Sequence, residues 1–254
     1  MYIKSKNIIV GRNPVLEALK EGGGVDKILI YRNASGDILN EIRNRAKELQ
    51  IPIQLVPGPK LDGLTNTQHQ GIIAFKTMVQ YHDLQTIIDW VTGEGKVPLF
   101  LLLDGITDVR NIGAIARTAL CCGVHAIIIP DKGVAALGED AMKASAGALS
   151  HIHIVRVNSL VKAVDTLHLN GIQVFAADMN ATQQIFELPL TYPCTFIMGS
   201  EDKGIQQVLT KVADSNFRVP MPGNFESLNV SVATGMILYE TVRQRMNTTV
   251  PIAG

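Results

Sequence analysis

Three short segments combine polar side chains with turn residues at the end of an apolar run, and they hold the groups that could do chemistry. The most informative is Pro220-Met221-Pro222-Gly223-Asn224-Phe225-Glu226-Ser227-Leu228-Asn229-Val230-Ser231, where Ser227, Asn229 and Ser231 sit between a strand-like and a helical pattern. Polar, turn-rich hinges of this kind are where α/β proteins place ligand sites. Ser227 or Asn229 also suits a helix N-cap, a use compatible with ligand contact. A second segment runs from Asp104 through Asn111 to Arg117. Asp104 ends a strand pattern, and Asn111 is placed to cap the helix that follows. Arg117 lies amid Ala, Ile and Thr, so partial burial is expected. A guanidinium so placed needs a carboxylate, or a phosphate or hydroxyl of a substrate; a structural ion pair and a ligand contact are equally open at this point. The third segment is Met198-Gly199-Ser200-Glu201-Asp202-Lys203-Gly204. Gly199 and Gly204 permit close backbone approach or positive φ. It fits neither the Walker A nor the G-x-G-x-x-G pattern, and alone it reads as a strand–helix turn.

Other chemistries find little support. The six histidines, His69, His82, His125, His151, His153 and His168, include no H-E-x-x-H and no pairing with cysteine at zinc spacing. No metal site is expected. His151 and His153 would share one strand face. No G-x-S-x-G elbow is present, which disfavours a hydrolase triad.

The elements that must position these groups follow from apolar periodicity. Residues 1–77 read as a small α/β unit. A capped helix starts at Asn13-Pro14, with Val15, Leu16, Ala18 and Leu19 following. Strand patterns lie at 27–31, 52–56 and 71–75, and 65–70 is a polar loop. The stretch 37–49 is amphipathic, with Leu39, Ile42, Ala46 and Leu49 on one face. Residues 78–97 hold a short helical pattern at 84–91 and read as a linker. From 98 to 247, strand patterns at 101–103, 126–130, 152–157, 173–177, 195–198 and 217–221 alternate with helical patterns at 112–122, 140–149, 160–169, 205–212 and 230–246. Such alternation, with nearly continuous apolar strands, predicts a parallel sheet covered on both faces.

The chain has 254 residues, 46% of them apolar, enough for one large or two ordinary domains. Formal net charge is zero, but residues 1–80 hold 11 Lys/Arg, Lys4 and Lys6 among them, against 7 Asp/Glu, and the remainder 12 against 16. The mildly basic first third suits an anionic partner, although an ordinary solvated surface explains the asymmetry as well. Cys121, Cys122 and Cys194 have apolar neighbours and no C-x-x-C spacing, so buried, reduced thiols in a cytoplasmic protein are expected. The N-terminal residues do not read as a signal peptide. The longest apolar run, near 100–103, is far too short to span a bilayer, so no membrane partner is expected.

Taken in order, N-x-G-x-x-x-R, M-G-S-E-x-x-G and V-P-M-x(5)-S-L-N-V-S-x-A resemble the three motifs of the SpoU/TrmH family of RNA ribose 2′-O-methyltransferases. Gly11-Arg12-Asn13-Pro14-Val15 and His69-Gln70-Gly71-Ile72-Ile73-Ala74 resemble the family's ribosomal-protein-like substrate domain. The likeness covers essentially the whole chain, and its layout is nearest the branch acting on a guanosine ribose of 23S ribosomal RNA. It implies an RNA substrate-binding domain at 1–77, a linker at 78–97 and a methyltransferase domain at 98–247 whose C-terminal segment threads a trefoil knot. It implies S-adenosylmethionine held by Gly199, Gly204, Val219, Met221 and Leu228, and a homodimer with the site near its interface. Arg117 would be the activating residue, with Asn111, Glu201, Ser227 and Asn229 orienting the reactants. Arg12, Lys27 and Arg32 are the RNA-binding candidates. Val109 and Arg110 stand where family members often carry Pro and His or Gln, and Arg110 adds a further candidate RNA contact. Competing readings are a transfer-RNA methyltransferase of the same family and a nonenzymatic RNA-binding protein. A nicotinamide-dependent dehydrogenase is disfavoured because no G-x-G-x-x-G follows the first strand of the larger domain.

Overall fold

The computed structural model describes residues 8–21, 24–49, 51–76, 78–223 and 227–248. Lys4, Lys6, Asn224, Phe225 and Glu226 lie outside the described residues. The chain divides into two units, one of residues 1–80 with 136–139 and one of residues 81–135 with 140–254.

The first unit carries β1 (Ile8–Val10), α1 (Arg12–Lys20), β2 (Val25–Tyr31), α2 (Asp37–Glu48), β3 (Ile53–Val56), α3 (Gly58–Asp62) and β4 (Ile72–Lys76). Its sheet runs β1-β4-β2-β3; β4 is antiparallel to β1 and β2, and β2 is parallel to β3. The apolar stripes of α1 (Val15, Leu16, Leu19) and α2 (Leu39, Ile42, Ala46) close over Ile28, Ile30, Ile72 and Ala74. Leu49, expected on that stripe, is exposed just beyond the end of α2.

The second unit carries β5 (Tyr81–His82), α4 (Leu84–Gly93), β6 (Leu99–Asp104), α5 (Val109–Cys121), β7 (Ala126–Pro130), α6 (Glu139–Ala144), β8 (His153–Val157), α7 (Leu160–Leu169), β9 (Gln173–Ala177), β10 (Gln183–Gln184), β11 (Cys194–Gly199), α8 (Gln207–Val212), β12 (Ser215–Arg218) and α9 (Val230–Thr248). Its strands order as β10-β12-β9-β11-β6-β7-β8-β5, and every pairing is parallel. β6 is buried along its whole length because it is paired on both edges and covered on both faces. From β6 the chain builds outward through β7 and β8, then returns to add β9, β11 and β12 on the other side. The strand order therefore switches direction between β6 and β11, the place where open α/β sheets hold ligands.

Three expectations change. The segment 78–97, expected as a linker, carries elements of the larger unit: β5 joins its sheet, and Leu84, Ile87, Ile88 and Val91 of α4 belong to its core. The helix expected over 140–149 stops at Ala144, because Ala146 and Gly147 adopt positive φ and a short 3-10 turn follows over Ala148–Ser150. His151 therefore precedes β8 rather than sharing its face with His153. The thiols also differ, since Cys194 alone is buried; Cys122 is intermediate and Cys121 exposed at the end of α5. Burial pushes the Cys194 thiol up to about 11.

Two of the contacts among the described residues illustrate how peripheral segments are tied to the larger sheet. Arg245, near the end of α9, donates from Nε to Leu190 O, from Nη1 to Val97 O and from Nη2 to Pro98 O and Tyr192 O, each at 3.0 Å. The other joins β5 to β8, where the His82 Nε2 and His153 Nδ1 atoms lie 3.4 Å apart and the Trp90 ring meets His153 edge-on. Desolvation lowers the pKa of His153, and the neighbouring His82 lowers it further. Burial likewise lowers that of His125, whose Nδ1 accepts from Leu99 N.

A histidine whose pKa is depressed by folding gains protons more readily in the unfolded chain. Its contribution is complete above the ordinary histidine value and is lost as pH falls through the folded one. The melting temperature should therefore drop between about pH 7 and pH 5, around the unperturbed histidine value. A His153→Gln, His125→Gln double variant should show a flatter thermal-melt profile over the same range. An equally steep profile would remove these residues as the cause.

Candidate functional site

The C-terminal ends of β6, β9, β11 and β12 lie along one edge of the sheet, with Gly199 in register with Asp104 and Ala177 with Phe217. Beyond β11 the chain makes a tight loop. Gly204 N donates to Ser200 O at 2.9 Å, and Gly204 holds φ +65°. A Cβ at Gly199 would lie 2.2 Å from the Gly204 carbonyl carbon. Glycine at 199 is thus a steric requirement, and at 204 a conformational one. The loop is pinned by buried Asp104, whose carboxylate accepts from Gln206 N at 2.7 Å and from Gln206 Nε2 at 2.6 Å.

The loop presents Glu201 to the other two motifs. Glu201 Oε1 accepts from Asn111 Nδ2 at 2.9 Å, from Asn229 Nδ2 at 2.5 Å and from Val230 N at 3.4 Å. Asn229 Nδ2 also donates to Asn111 Oδ1 at 3.0 Å. Asn229 Oδ1 in turn accepts from Ser231 N and Oγ, capping α9. Asn111 does not cap α5. That place belongs to Asp108, which accepts from Arg110 N at 2.8 Å and leaves Asn111 in the first helical turn. Gly113, one turn further in, has its own constraint: a Cβ there would lie 2.5 Å from the Ala144 Cβ.

A cavity of about 440 Å³ opens beside this network. It is within the range of small-molecule sites, about 300–1,000 Å³. Gly199, Gly204, Val219, Met221 and Leu228 all line it, as do Glu201 and Ser227. Sequence reasoning missed Asp178, Asn180, Thr210 and Arg218 on its wall. Asp178 and Asn180 follow directly after β9 and were readable as a strand-end polar pair. Arg218 ends a strand that was expected to run on to 221. The strand stops earlier, just before Val219-Pro220-Met221-Pro222, whose two prolines have no N–H to give a ladder.

Arg117 departs from its expected setting. It is exposed, with no ion-pair partner among the described residues, because the buried stripe of α5 consists of Ile112, Ile115, Ala116 and Ala119. It does not line the cavity. Arg110 is not an open cation, since its Nη2 lies 2.9 Å from Asp108 Oδ2. That guanidinium holds the Asp108 carboxyl below its usual range. In the first unit, Lys27 Nζ lies 4.9 Å from the centre of the Phe75 ring, Arg32 is exposed after β2, and Arg12 is half-buried at the start of α1. Among the described residues no group of three or more His, Cys, Asp or Glu side chains could hold a metal ion, and no helix is long and apolar enough to cross a membrane.

Residues 98–239 match the model of the SpoU rRNA methylase family, and residues 8–82 match that of the RNA 2′-O ribose methyltransferase substrate-binding domain. A Staphylococcus saprophyticus protein assigned to the TrmH family of tRNA/rRNA methyltransferases is 35% identical over 238 residues, 94% of this chain and 96% of its own. The SpoU methyltransferase AviRb of Streptomyces viridochromogenes, solved with AdoMet, superposes with a TM-score of 0.60 at 25% identity, covering 94% of this chain and 90% of its own. The TrmH/SpoU tRNA-modifying enzyme of A. aeolicus superposes at 0.54 with 27% identity, over 65% of this chain and 85% of its own.

The tight approach at Gly199 yields a direct test. Gly199→Ala must open the loop, at about 1–3 kcal/mol. Thermal denaturation should show a lower melting temperature and no heat protection by S-adenosylmethionine. Unchanged stability together with unchanged protection would mean that the close approach is dispensable.

Proposed function

The chain belongs to the SpoU rRNA methylase family, and from that premise we propose that it methylates a ribose 2′-hydroxyl of RNA, taking the methyl group from S-adenosylmethionine. The single observation that carries this reading is the convergence of Asn111, Asn229 and Val230 N on Glu201 Oε1 beside the cavity. Three distant segments meet there to build a rigid polar rim. The cavity suits the cofactor: apolar Met198, Phe217 and Ile237 could pack against a base, and Asp178, Asn180, Ser227 and Arg218 could meet hydroxyl, amino and carboxylate groups. When bound, S-adenosylmethionine supplies a methyl group activated by a sulfonium.

The chain's own residues would then orient and polarise. A ribose hydroxyl is a weak acid and must lose its proton or be strongly polarised to react. An arginine keeps its proton, so Arg117 serves best by gripping the adjacent phosphate and stabilising the developing alkoxide. Asn111, Glu201, Ser227 and Asn229 would hold the ribose and the methyl donor in line.

We assign the chain to a homodimer because Arg117 is bare in the single subunit. On α9, Val232, Met236 and Tyr239 are exposed at i, i+4 and i+7, and Leu120 is exposed on α5, the helix of Arg117, which packs against α9. A second copy covering this apolar stripe would desolvate Arg117 and complete the site. Within the fold, the C-terminal segment would thread the trefoil knot that the family likeness implies.

The proposed substrate is a guanosine of 23S ribosomal RNA in the cytoplasm, gripped by the first unit through Arg12, Lys27 and Arg32; Arg110, already paired with Asp108, is left out of that grip. The two-unit layout favours it, since the tRNA-modifying enzyme of A. aeolicus corresponds to only 65% of this chain.

Tritium transfer from labelled S-adenosylmethionine to unmethylated bulk RNA, with ribosomal and transfer fractions separated afterwards, tests the reading. Label is expected at an alkali-resistant dinucleotide of the large-subunit fraction. Label in transfer RNA would overturn the substrate while keeping the chemistry. Arg117→Ala should lower turnover by more than about a hundredfold, the scale of losing one charge-stabilising donor, with cofactor binding retained. Intact transfer by that variant would remove Arg117 from the mechanism.

A further inference from the structure

The first unit concentrates unusual backbone around one side chain, Arg12. Gly11 precedes it at φ +97°, and Gly36 lies beside it at φ +130°. Gln70, one of two non-glycine residues with positive φ among the described residues, holds φ +52°. Gln70 grips Arg12 twice: its backbone carbonyl accepts from Arg12 Nε and its Oε1 accepts from Arg12 N, both at 3.1 Å. An alanine at Gly36 would put its Cβ 3.0 Å from Arg12 Nη1. A side chain there would push that nitrogen aside by a few tenths of an ångström, and the φ of Gly36 already disfavours one.

The result is a guanidinium anchored through Nε, and no carboxylate among the described residues pairs with it. The first N–H of α1, that of Arg12 itself, is satisfied by Gln70 Oε1. An arginine held at Nε presents its two terminal amino groups as a fork, the geometry that matches two oxygens of one phosphate. Left-handed backbone at a residue other than glycine, asparagine or aspartate costs free energy and persists where the surroundings enforce it, often at binding sites.

We propose that Gln70 is a positioning residue that clamps Arg12 as a preformed fork for a phosphodiester of the RNA substrate, with Gly36 supplying the clearance. This rests on the RNA reading above. Gln70 acts through Arg12 and touches no ligand itself. The clamp lowers the ordering cost of binding, because the side chain is set before the RNA arrives.

Binding of labelled, unmethylated large-subunit ribosomal RNA and of transfer RNA, each over a salt series, tests it. The variants are Arg12→Ala, Arg12→Lys, Gln70→Val, Gln70→Asn and the Arg12→Ala, Gln70→Val pair. Arg12→Ala should weaken binding about tenfold and reduce the salt slope by about 0.7–0.9, the share of one phosphate contact. Gln70→Val, whose branched side chain resists left-handed backbone, should lose as much, and Gln70→Asn, which tolerates it, should stay near wild type. Arg12→Lys should keep the slope but not the affinity. The double variant should bind no more weakly than Arg12→Ala alone. Heat protection by S-adenosylmethionine should persist throughout, which shows the second unit intact, and an unchanged far-ultraviolet circular dichroism spectrum and melting profile mark the first unit as folded.

Independent, multiplying losses in the double variant would overturn the clamp. So would wild-type affinity in Arg12→Ala. Should Gln70→Val fail to fold, the Arg12→Lys and Gln70→Asn results still decide the matter. A wild-type protein that binds neither RNA at low salt would instead sink the RNA reading itself.

Discussion

One carboxylate oxygen, Glu201 Oε1, is the point on which the larger unit's functional edge is assembled. It takes donors from α5 and from the start of α9, and it stands on a loop that leaves β11. Each hydrogen bond to a charged group contributes about 1.5–3 kcal/mol. Ordering one residue of backbone costs about 1–2 kcal/mol. Three such bonds can therefore fix only a few loop residues, so most of the placement must come from the framework beneath. That framework is the buried register of β6 and β11, the steric fit of Gly199 on Gly204 and the Asp104–Gln206 clasp. The polar network then selects one arrangement among loops that are already close.

The same division explains which residues could be read from the sequence. Strands buried on both faces produce continuous apolar runs, and the ranges 126–130, 173–177 and the helix at 160–169 match β7, β9 and α7 residue for residue. Glycines that answer a backbone demand were also legible, since Gly199 and Gly204 have no competing use. Less visible were elements too short for periodicity to register, such as β1, α3 and β5. Residues 78–97 read as a linker because the helical pattern is short and a Gly-Glu-Gly turn follows it, yet the apolar face of α4 is core. The exposure of Arg117 has a different reason. Small apolar neighbours in sequence suggested burial, but consecutive helical residues point about 100° apart, and Arg117 falls off the buried stripe.

Cations sort by their partners. Arg245 is consumed by backbone carbonyls and Arg110 by Asp108. Among the described residues Arg117 and Arg12 have no carboxylate partner, one on an exposed helix face beside an apolar stripe and the other clamped by backbone. Charges left without partners on a folded surface are the ones available to a polyanion. Their different settings match the two roles proposed for them, stabilisation of the developing alkoxide by Arg117 and grip on an RNA phosphate by Arg12.

The central claim is that the three motif segments act as one unit through Glu201. The direct measurement is the turnover number of Asn111→Ala, Asn229→Ala and their double variant at saturating S-adenosylmethionine and RNA. If the two amides work only as parts of the Glu201 network, either single variant already breaks it, and the double variant should be scarcely slower than the worse single one. Losses that multiply in the double variant would show that Asn111 and Asn229 act independently, and the account of a shared carboxylate anchor would be wrong.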